Sequence, residues 1–318
     1  MLGWIFQSCT NLHNALFETL VEPLLYAVHL VGYADLAYDA VEVFLLGIVQ
    51  ILLLYASLRA LEVWWPAEVW DNRRDVRADV LYTFLHRLGV LPLLIYSLLT
   101  PLIDGLEGWM RLYGYIPLKL EDLLPWLVTY PLVSFFLYLV LIDGAEYWCH
   151  RLQHALGPWW ALHSVHHSQR QLSLWADDRN HVLDDVMTGL WGAALAWVIG
   201  VPPEQFVAWV ILTRLLESLS HTNVRWSFGT IGSRLLVGPQ FHRVHHAMGL
   251  GHDGTHHGCN FATLFPIWDI LFGTANFTRQ PVATGIADQL LGQDYGDTWL
   301  RQQWLGCQRL AASFRQHQ

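Results

Sequence analysis

Two pentapeptides, HSVHH at 163–167 and HRVHH at 242–246, each place three histidines at i, i+3 and i+4. On a helix those positions share one side, so each pentapeptide can offer three imidazoles from a single turn. A third stretch, DGAEYWCHRLQH at 143–154, sets Asp143, Tyr147, His150 and His154 at offsets of 0, 4, 7 and 11, a continuous stripe if the helix persists. His150 and His154 join His163, His166, His167, His242, His245 and His246, and His221 in the following SHTN makes nine. Imidazole suits iron, zinc, copper and nickel, and one ion takes about four to six ligands, so nine rings imply two ions sharing the set.

The remaining histidines divide by context. His181, in DDRNHVLDD, has Asp184 and Asp185 three and four residues on. These carboxylates are spaced to accept a ring proton and fix its tautomer, or equally to begin a helix. Neutral imidazoles bring no charge to offset two cations, which makes Asp143, Glu146, Asp184 and Asp185 candidates for that role, with Tyr147 and Asn223 beside them. His13, His29 and His86 stand alone on apolar stretches and read as packed or solvated. His252, His256 and His257 read as loop polarity, and His317 as part of a terminus.

The elements that must hold these rings are apolar. The chain of 318 residues is 53% hydrophobic and 14% charged, with 17 Trp and 12 Tyr, a membrane-protein composition rich in rings that favour the lipid–water boundary. Its net charge of −9 gives no nucleic-acid signal. Residues 41–58, 90–103 and 125–142 approach spanning length. A fourth apolar region, 186–219, breaks at GVPPE (200–204) and reads as a helical hairpin turning at Pro202 and Pro203. Residues 1–40 read as interfacial or marginally spanning, and no basic n-region of a signal peptide precedes Arg59. Arg59, Arg73, Arg74, Arg77 and Arg87 follow the first span, against Arg111 and Lys119 between the second and third. By the positive-inside rule the histidine clusters then face the cytoplasm. Residues 41–280 form one membrane-embedded unit, and 281–318 end in a helix whose Leu300, Trp304, Cys307, Ala311 and Phe314 share a stripe expected to pack on the cap or lie at the interface. The four cysteines have no CxxC spacing, and Cys149 reads as a packing residue.

The stretches DGAEYWCHRLQH, WALHSVHHS, RNH, SHTN, PQFHRVHH and WDILFGT, in that order over roughly residues 130–275, resemble the fatty acid hydroxylase superfamily, also called the sterol desaturase family, of integral-membrane diiron enzymes. The resemblance implies an all-α fold: a membrane bundle of about four transmembrane helices under a cytosolic helical cap, with a histidine-held diiron centre at the mouth of a lipid-accessible pocket. It also implies that the nine clustered histidines, and with them His181, are ligands. The chain departs from the family pattern at Asn260, Phe261 and Ala262, where relatives often carry NYG, and at Val182, where a proline is frequent.

The chemistry implied is an oxidoreductase: two iron ions, or zinc in the isolated protein, with dioxygen as co-substrate, hydroxylating or desaturating a C–H bond of a sterol, fatty acyl or ether lipid. No flavin or nicotinamide fold and no haem-binding HPGG is read in the sequence, so a separate cytochrome or ferredoxin with its reductase would supply electrons. A single Lys against 17 Arg, without a dilysine or KDEL-type end, favours a bacterial inner membrane over endoplasmic reticulum. Two rival readings compete. A membrane zinc hydrolase needs one open ion and a carboxylate base, but HExxH is absent. A nonenzymatic haem or metal carrier needs single histidines from facing helices rather than HxxHH turns.

Overall fold

In the computed structural model, which describes residues 2–315 apart from 71, 251, 253–257, 280 and 281, the chain is helical and the described residues contain no β-strand. Helix α1 (Leu2–Leu16) continues through a π-helical turn at Phe17–Val21 into α2 (Glu22–Ala27). The chain then reverses, with His29 at φ 61°, and α1 lies back along α3 (Ala34–Trp64). There the His13 ring donates to the Tyr38 carbonyl at 2.9 Å and the Tyr38 hydroxyl to Asn14 at 2.7 Å.

Among the described residues, three helical stretches are long and apolar enough to cross a membrane: Val31–Trp64, Val90–Leu112 and Pro131–Ala155, with mean hydropathies of 2.2, 1.5 and 1.5 in their most apolar windows. Large apolar side chains such as Leu52, Leu53, Leu94 and Leu98 point outward from them, as expected where lipid replaces water. The expected spans 41–58 and 90–103 lie inside α3 and the Val90–Leu112 helix, whereas the one expected at 125–142 starts late. Pro125–Thr129 is a separate 3₁₀ turn, and the helix begins at Pro131, whose missing N–H costs nothing in a first turn.

Between the first two spans lies α4 (Val76–Arg87), and two glycines fix how it joins them. Any side chain at Gly47 of α3 would overlap the Arg87 carbonyl, so only glycine admits the end of α4 there. Gly89, at φ 81°, closes α4 in the left-handed conformation and launches α5 (Val90–Leu112). The short α6 (Leu120–Leu123) then leads to α7 (Pro131–Ala155) and α8 (Gly157–His167).

Helices α9 (Val182–Val198) and α10 (Pro203–His221) form the expected hairpin. Its turn lies at the far end of the bundle from the histidines, where Gly200 donates to the Leu118 carbonyl at 3.1 Å and its own carbonyl accepts from Tyr138 at 2.9 Å. Helix α10 therefore returns His221 to the level where α7 ends. The chain closes with α11 (Gly229–Leu235), α12 (Pro239–His245), α13 (Ile267–Leu271) and α14 (Trp299–Ser313).

Polar groups wire the cap to the bundle. Arg87, counted among the loop arginines in the sequence, is buried and reaches Asp178 at 2.8 Å, Asp177 at 2.7 Å and Ser218 at 2.8 Å. Arg179 likewise bonds Asp79 at 2.7 Å and the Val165 carbonyl at 2.9 Å. Helix α14 lies along α8, but not by its apolar stripe. Leu300, Trp304, Cys307 and Phe314 are exposed, while Gln302 and Gly306 are buried. The inward face is polar because its amides are used: Gln303 donates to the Tyr82 hydroxyl at 2.9 Å and the Asn180 carbonyl at 3.0 Å.

Candidate metal centre

Helix α7 carries His150 and His154 one turn apart at its end, α8 ends in His163, His166 and His167, α10 ends in His221, and α12 carries His242 and His245 with His246 at its cap. These nine rings meet in two groups. His150, His154, His163, His167 and His245 form one, and His166, His221, His242 and His246 the other, with the ligating atoms of each group within 4.8 Å of one another. The two pentapeptides are divided in opposite senses. HSVHH gives its i and i+4 rings to the first group and its i+3 ring to the second; HRVHH gives its i+3 ring to the first and its i and i+4 rings to the second. The groups adjoin where His167 and His246 stack, ring centres 4.4 Å apart.

The rings are turned so that lone pairs face inward. A carbonyl can only accept, so each ring nitrogen bonded to one carries the proton. His150 Nδ1 donates to the Phe261 carbonyl at 2.8 Å, His245 Nδ1 to Cys259 at 2.8 Å, His166 Nδ1 to Arg179 at 3.2 Å and His221 Nδ1 to Glu217 at 2.8 Å. In the second group Nε2 of His221 then lies 3.3 Å from Nε2 of His166 and 2.9 Å from that of His242, which is 3.1 Å from that of His246. His166 and His221 present bare Nε2 lone pairs to each other, so no hydrogen bond joins them. Ligands about 2.0–2.1 Å from one ion stand about 2.9–3.3 Å apart when they subtend about 90–105°, so one cation fits among these four. In the first group Nε2 of His163, His167 and His245 is buried with no hydrogen-bond partner, an arrangement whose cost a cation removes. Burial first, and neighbouring rings second, hold His166, His167, His242, His245 and His246 well below the ordinary imidazole range, keeping them neutral as ligation requires.

The surrounding groups only partly match their sequence-derived roles. Asp184 does orient a ring, but it is His163, whose Nδ1 lies 2.9 Å away; Gln153 and Trp159 donate to the same carboxylate at 2.8 and 2.7 Å. His181 is brought to neither group. Its Nε2 donates to the Gln303 carbonyl at 2.8 Å and its Nδ1 accepts from Leu183 at 3.1 Å, so it caps α9 and is buried under α14. Asp185 faces His86 at 3.4 Å. Asp143 accepts from the backbone of Leu264 and Phe265 at 2.8 and 3.0 Å, Tyr147 bonds Thr274 at 3.0 Å, and Asn223 pairs with the backbone of Glu68 at 2.9 and 2.8 Å, all structural contacts. Glu146 stays beside the centre, in the wall of a cavity of about 150 Å³ that it shares with Cys149, His150, His166 and His221. His252 stacks on Trp160, ring centres 3.5 Å apart, and belongs to neither group; His256, His257 and His317 lie outside the described residues.

Sequence reasoning missed two supports. Asp177 lies 3.6 Å from His221 Nδ1 and is held by Arg87 and Ser218. Asp269 accepts from the backbone of Phe261 and Ala262 at 2.8 and 2.9 Å, fixing the carbonyl that His150 uses. Between the Cys259 and Phe261 carbonyls sits Asn260, at φ 58°, its amide donating to Phe241 and Asn276 at 2.9 Å each. Asparagine tolerates that conformation, and the resulting turn aims the flanking carbonyls at two different imidazoles, His245 and His150. The WDILFGT stretch and the departure at Asn260–Ala262 were the available signals.

Beneath the centre an apolar cavity of about 800 Å³ opens between α5, α7, α9 and α10. Its α9 wall includes Gly189, Gly192, Ala193 and Ala196, small residues at helical spacing, beside Leu195, and its far end is Ile199, Gly200, Val201 and Phe206. Glu146, Thr188 and Arg214 line both this cavity and the smaller one.

The sequence profile of the fatty acid hydroxylase family matches residues 135–274, which contain all nine clustered histidines. Residues 135–274 carry the likeness to fatty acid hydroxylase. The chain is similar to alkylglycerol monooxygenase of Homo sapiens, 30% identical over 166 residues, 51% of this chain and 34% of the relative. Alkylglycerol monooxygenase of Danio rerio is 32% identical over 136 residues, 42% of this chain and 28% of the relative. Very-long-chain aldehyde decarbonylase GL1-8 of Oryza sativa subsp. japonica is 29% identical over 217 residues, 67% of this chain and 72% of the relative. The chain thus spans about a third of the first two relatives. No solved structure matches the chain significantly.

Proposed function

We propose that this protein is a diiron oxygenase that hydroxylates or desaturates a C–H bond of a membrane lipid. The observation that carries the reading is the opposed division of the two HxxHH turns between adjoining groups of five and four imidazoles, beside an apolar cavity. Iron held there by His150, His154, His163, His167 and His245, and by His166, His221, His242 and His246, would supply dioxygen activation. The balance for hydroxylation is one C–H bond, one dioxygen, two electrons and two protons giving one alcohol and one water. The electrons come from a separate cytochrome or ferredoxin with its reductase.

The chain's own residues set the conditions. Carbonyls of Cys259, Phe261, Arg179 and Glu217 and the Asp184 carboxylate fix ring orientation. The wall of Gly189, Gly192, Ala193 and Ala196 leaves space for a chain and excludes water by its apolarity. The printed names of the relatives, an alkylglycerol monooxygenase and a very-long-chain aldehyde decarbonylase, share a substrate with a long or alkyl chain, which fits such a slot. Arg59, Arg73, Arg74 and Arg77 follow the first span, at the end where the histidines gather, which supports a cytoplasmic active face. Neither rival reading gains support. A mononuclear zinc hydrolase has no use for a second set of four rings, and haem ligation does not call for HxxHH turns split between two groups.

The test is anaerobic iron loading, then dioxygen and a reductant, with mass spectrometry of a membrane-lipid extract. A lipid that gains one oxygen or loses two hydrogens is expected. Protein carrying two irons per chain that changes no lipid under full reduction would overturn the proposal.

A further inference from the structure

Residues 260–278 include one charged side chain, Asp269, and that one is buried. Helix α13 within them nevertheless turns apolar side chains outward: Ile267 is 41% exposed, Ile270 40%, Leu271 63% and Phe272 41%. What these side chains face follows from their level on α7. Exposed Trp109, Tyr113, Trp126 and Tyr130 cluster at the end of the bundle away from the histidines. At the other end exposed Trp148 lies under the Arg151 guanidinium, 5.3 Å from its ring centre. Such groups mark the two lipid–water boundaries, and α7 rises about 27 Å from Tyr130 to Trp148, close to the ~30 Å of a hydrocarbon core. Helix α13 is fastened between those levels. Phe265 meets Phe136, ring centres 6.1 Å apart, the Trp268 ring leaves no room for a side chain at Gly144, and Phe272 stacks on Tyr147 at 5.4 Å.

The backbone there is satisfied as a hydrocarbon setting demands. Asp269 accepts from the Phe261 and Ala262 amides, and Asp143 from those of Leu264 and Phe265, so two buried carboxylates serve four N–H groups outside any helix. Irregular backbone persists at membrane depth only when protein groups pair it. The two ends of the loop are tied together beside the histidines, where the Asn260 amide donates to the Thr274 carbonyl at 3.0 Å and its side chain accepts from Asn276 at 2.6 Å. The chain thus descends from the centre along α7 and returns to it.

We propose that residues 260–274 form a re-entrant membrane loop, with the outward face of α13 covered by acyl chains of the leaflet on the histidine side. This goes beyond the oxygenase reading and does not depend on it. The Cys259 and Phe261 carbonyls at the neck hold His245 and His150, so the bilayer would seat the loop that orients two rings of the first group. A second copy of the chain is the competing cover.

The test is nitroxide depth measurement in lipid nanodiscs, on the full chain with Cys9, Cys259 and Cys307 replaced by serine and buried Cys149 retained. Labels go on Ile267→Cys and Leu271→Cys, with Leu94→Cys on the outward face of α5 and Gln293→Cys on the polar cap as references. Power saturation compares collision with dissolved oxygen against collision with a water-soluble nickel chelate. The ratio at 267 and 271 should match that at 94 and exceed that at 293 at least about tenfold, since the charged chelate stays out of hydrocarbon. A ratio like that at 293 overturns the proposal by placing the face in water. Low collision with both reagents overturns it by giving the face to protein. Should one labelled variant fail to assemble, Ile270→Cys takes its place, because its side chain also points outward.

Discussion

His181 and His221 sit in similar sequence company, each beside polar residues at a helix end, yet only His221 has its Nε2 among other Nε2 atoms. His181 spends one nitrogen on the Gln303 carbonyl and the other on the first turn of α9. Replacing His181 with alanine is expected to leave metal content unchanged and to cost about 1 kcal/mol of stability, the usual loss of a helix cap. His221→Ala should instead lower the metal-to-protein ratio, and elemental analysis beside thermal melting separates the two. The buried imidazoles also set a pH response. His166, His167, His242, His245 and His246 titrate well below the unfolded value of 6.5 because burial penalises their charged forms. Above that value neither state binds a proton there. Below it the unfolded chain takes up protons the folded chain refuses, so stability falls as pH falls, by up to about 1.4 kcal/mol per pH unit for each ring. Denaturant unfolding of the metal-free protein across the acid range should show this slope; a flat profile would contradict it. At this scale the clustering of the rings was legible because i, i+3, i+4 is a fixed geometry. Their second partners were not, because Asp184 meets His163 from 21 residues away and Phe261 meets His150 from 111.

Among the elements, α9 does two jobs. Its first turn supplies Asp184 to the His163 ring, and its small-residue face lines the cavity. Gly192 has no atom within 4 Å of where a β-carbon would stand, so a larger side chain there can project into the slot without displacing protein. Gly192→Leu is expected to keep or raise the melting temperature, since leucine favours helix over glycine by under about 1 kcal/mol. Lipid turnover should fall at least about tenfold, a barrier of about 1.4 kcal/mol, and unchanged turnover would mean the chain lies elsewhere. The hairpin of α9 and α10 was readable from GVPPE, and the spans from hydropathy. The inward face of α14 was not: a stripe of Leu300, Trp304 and Phe314 looks core-facing in isolation, and only the cap's demand for Gln303 and the buried Gly306 turns it outward.

For the molecule as a whole, the opposed division of the two pentapeptides means that α8 and α12 each contribute to both groups, while α7 and α10 each serve one. A cation held in either group would draw both shared helices into register and so favour a second cation in the other group. Titrating metal into apoprotein should give a mixture of empty and doubly filled molecules with few singly filled ones, visible by native mass spectrometry. Half-filled chains dominating at one equivalent would show that the groups load independently. The same linkage implies that damage to one HxxHH turn is not confined to one ion, so a lesion in either repeat should discharge the whole pair.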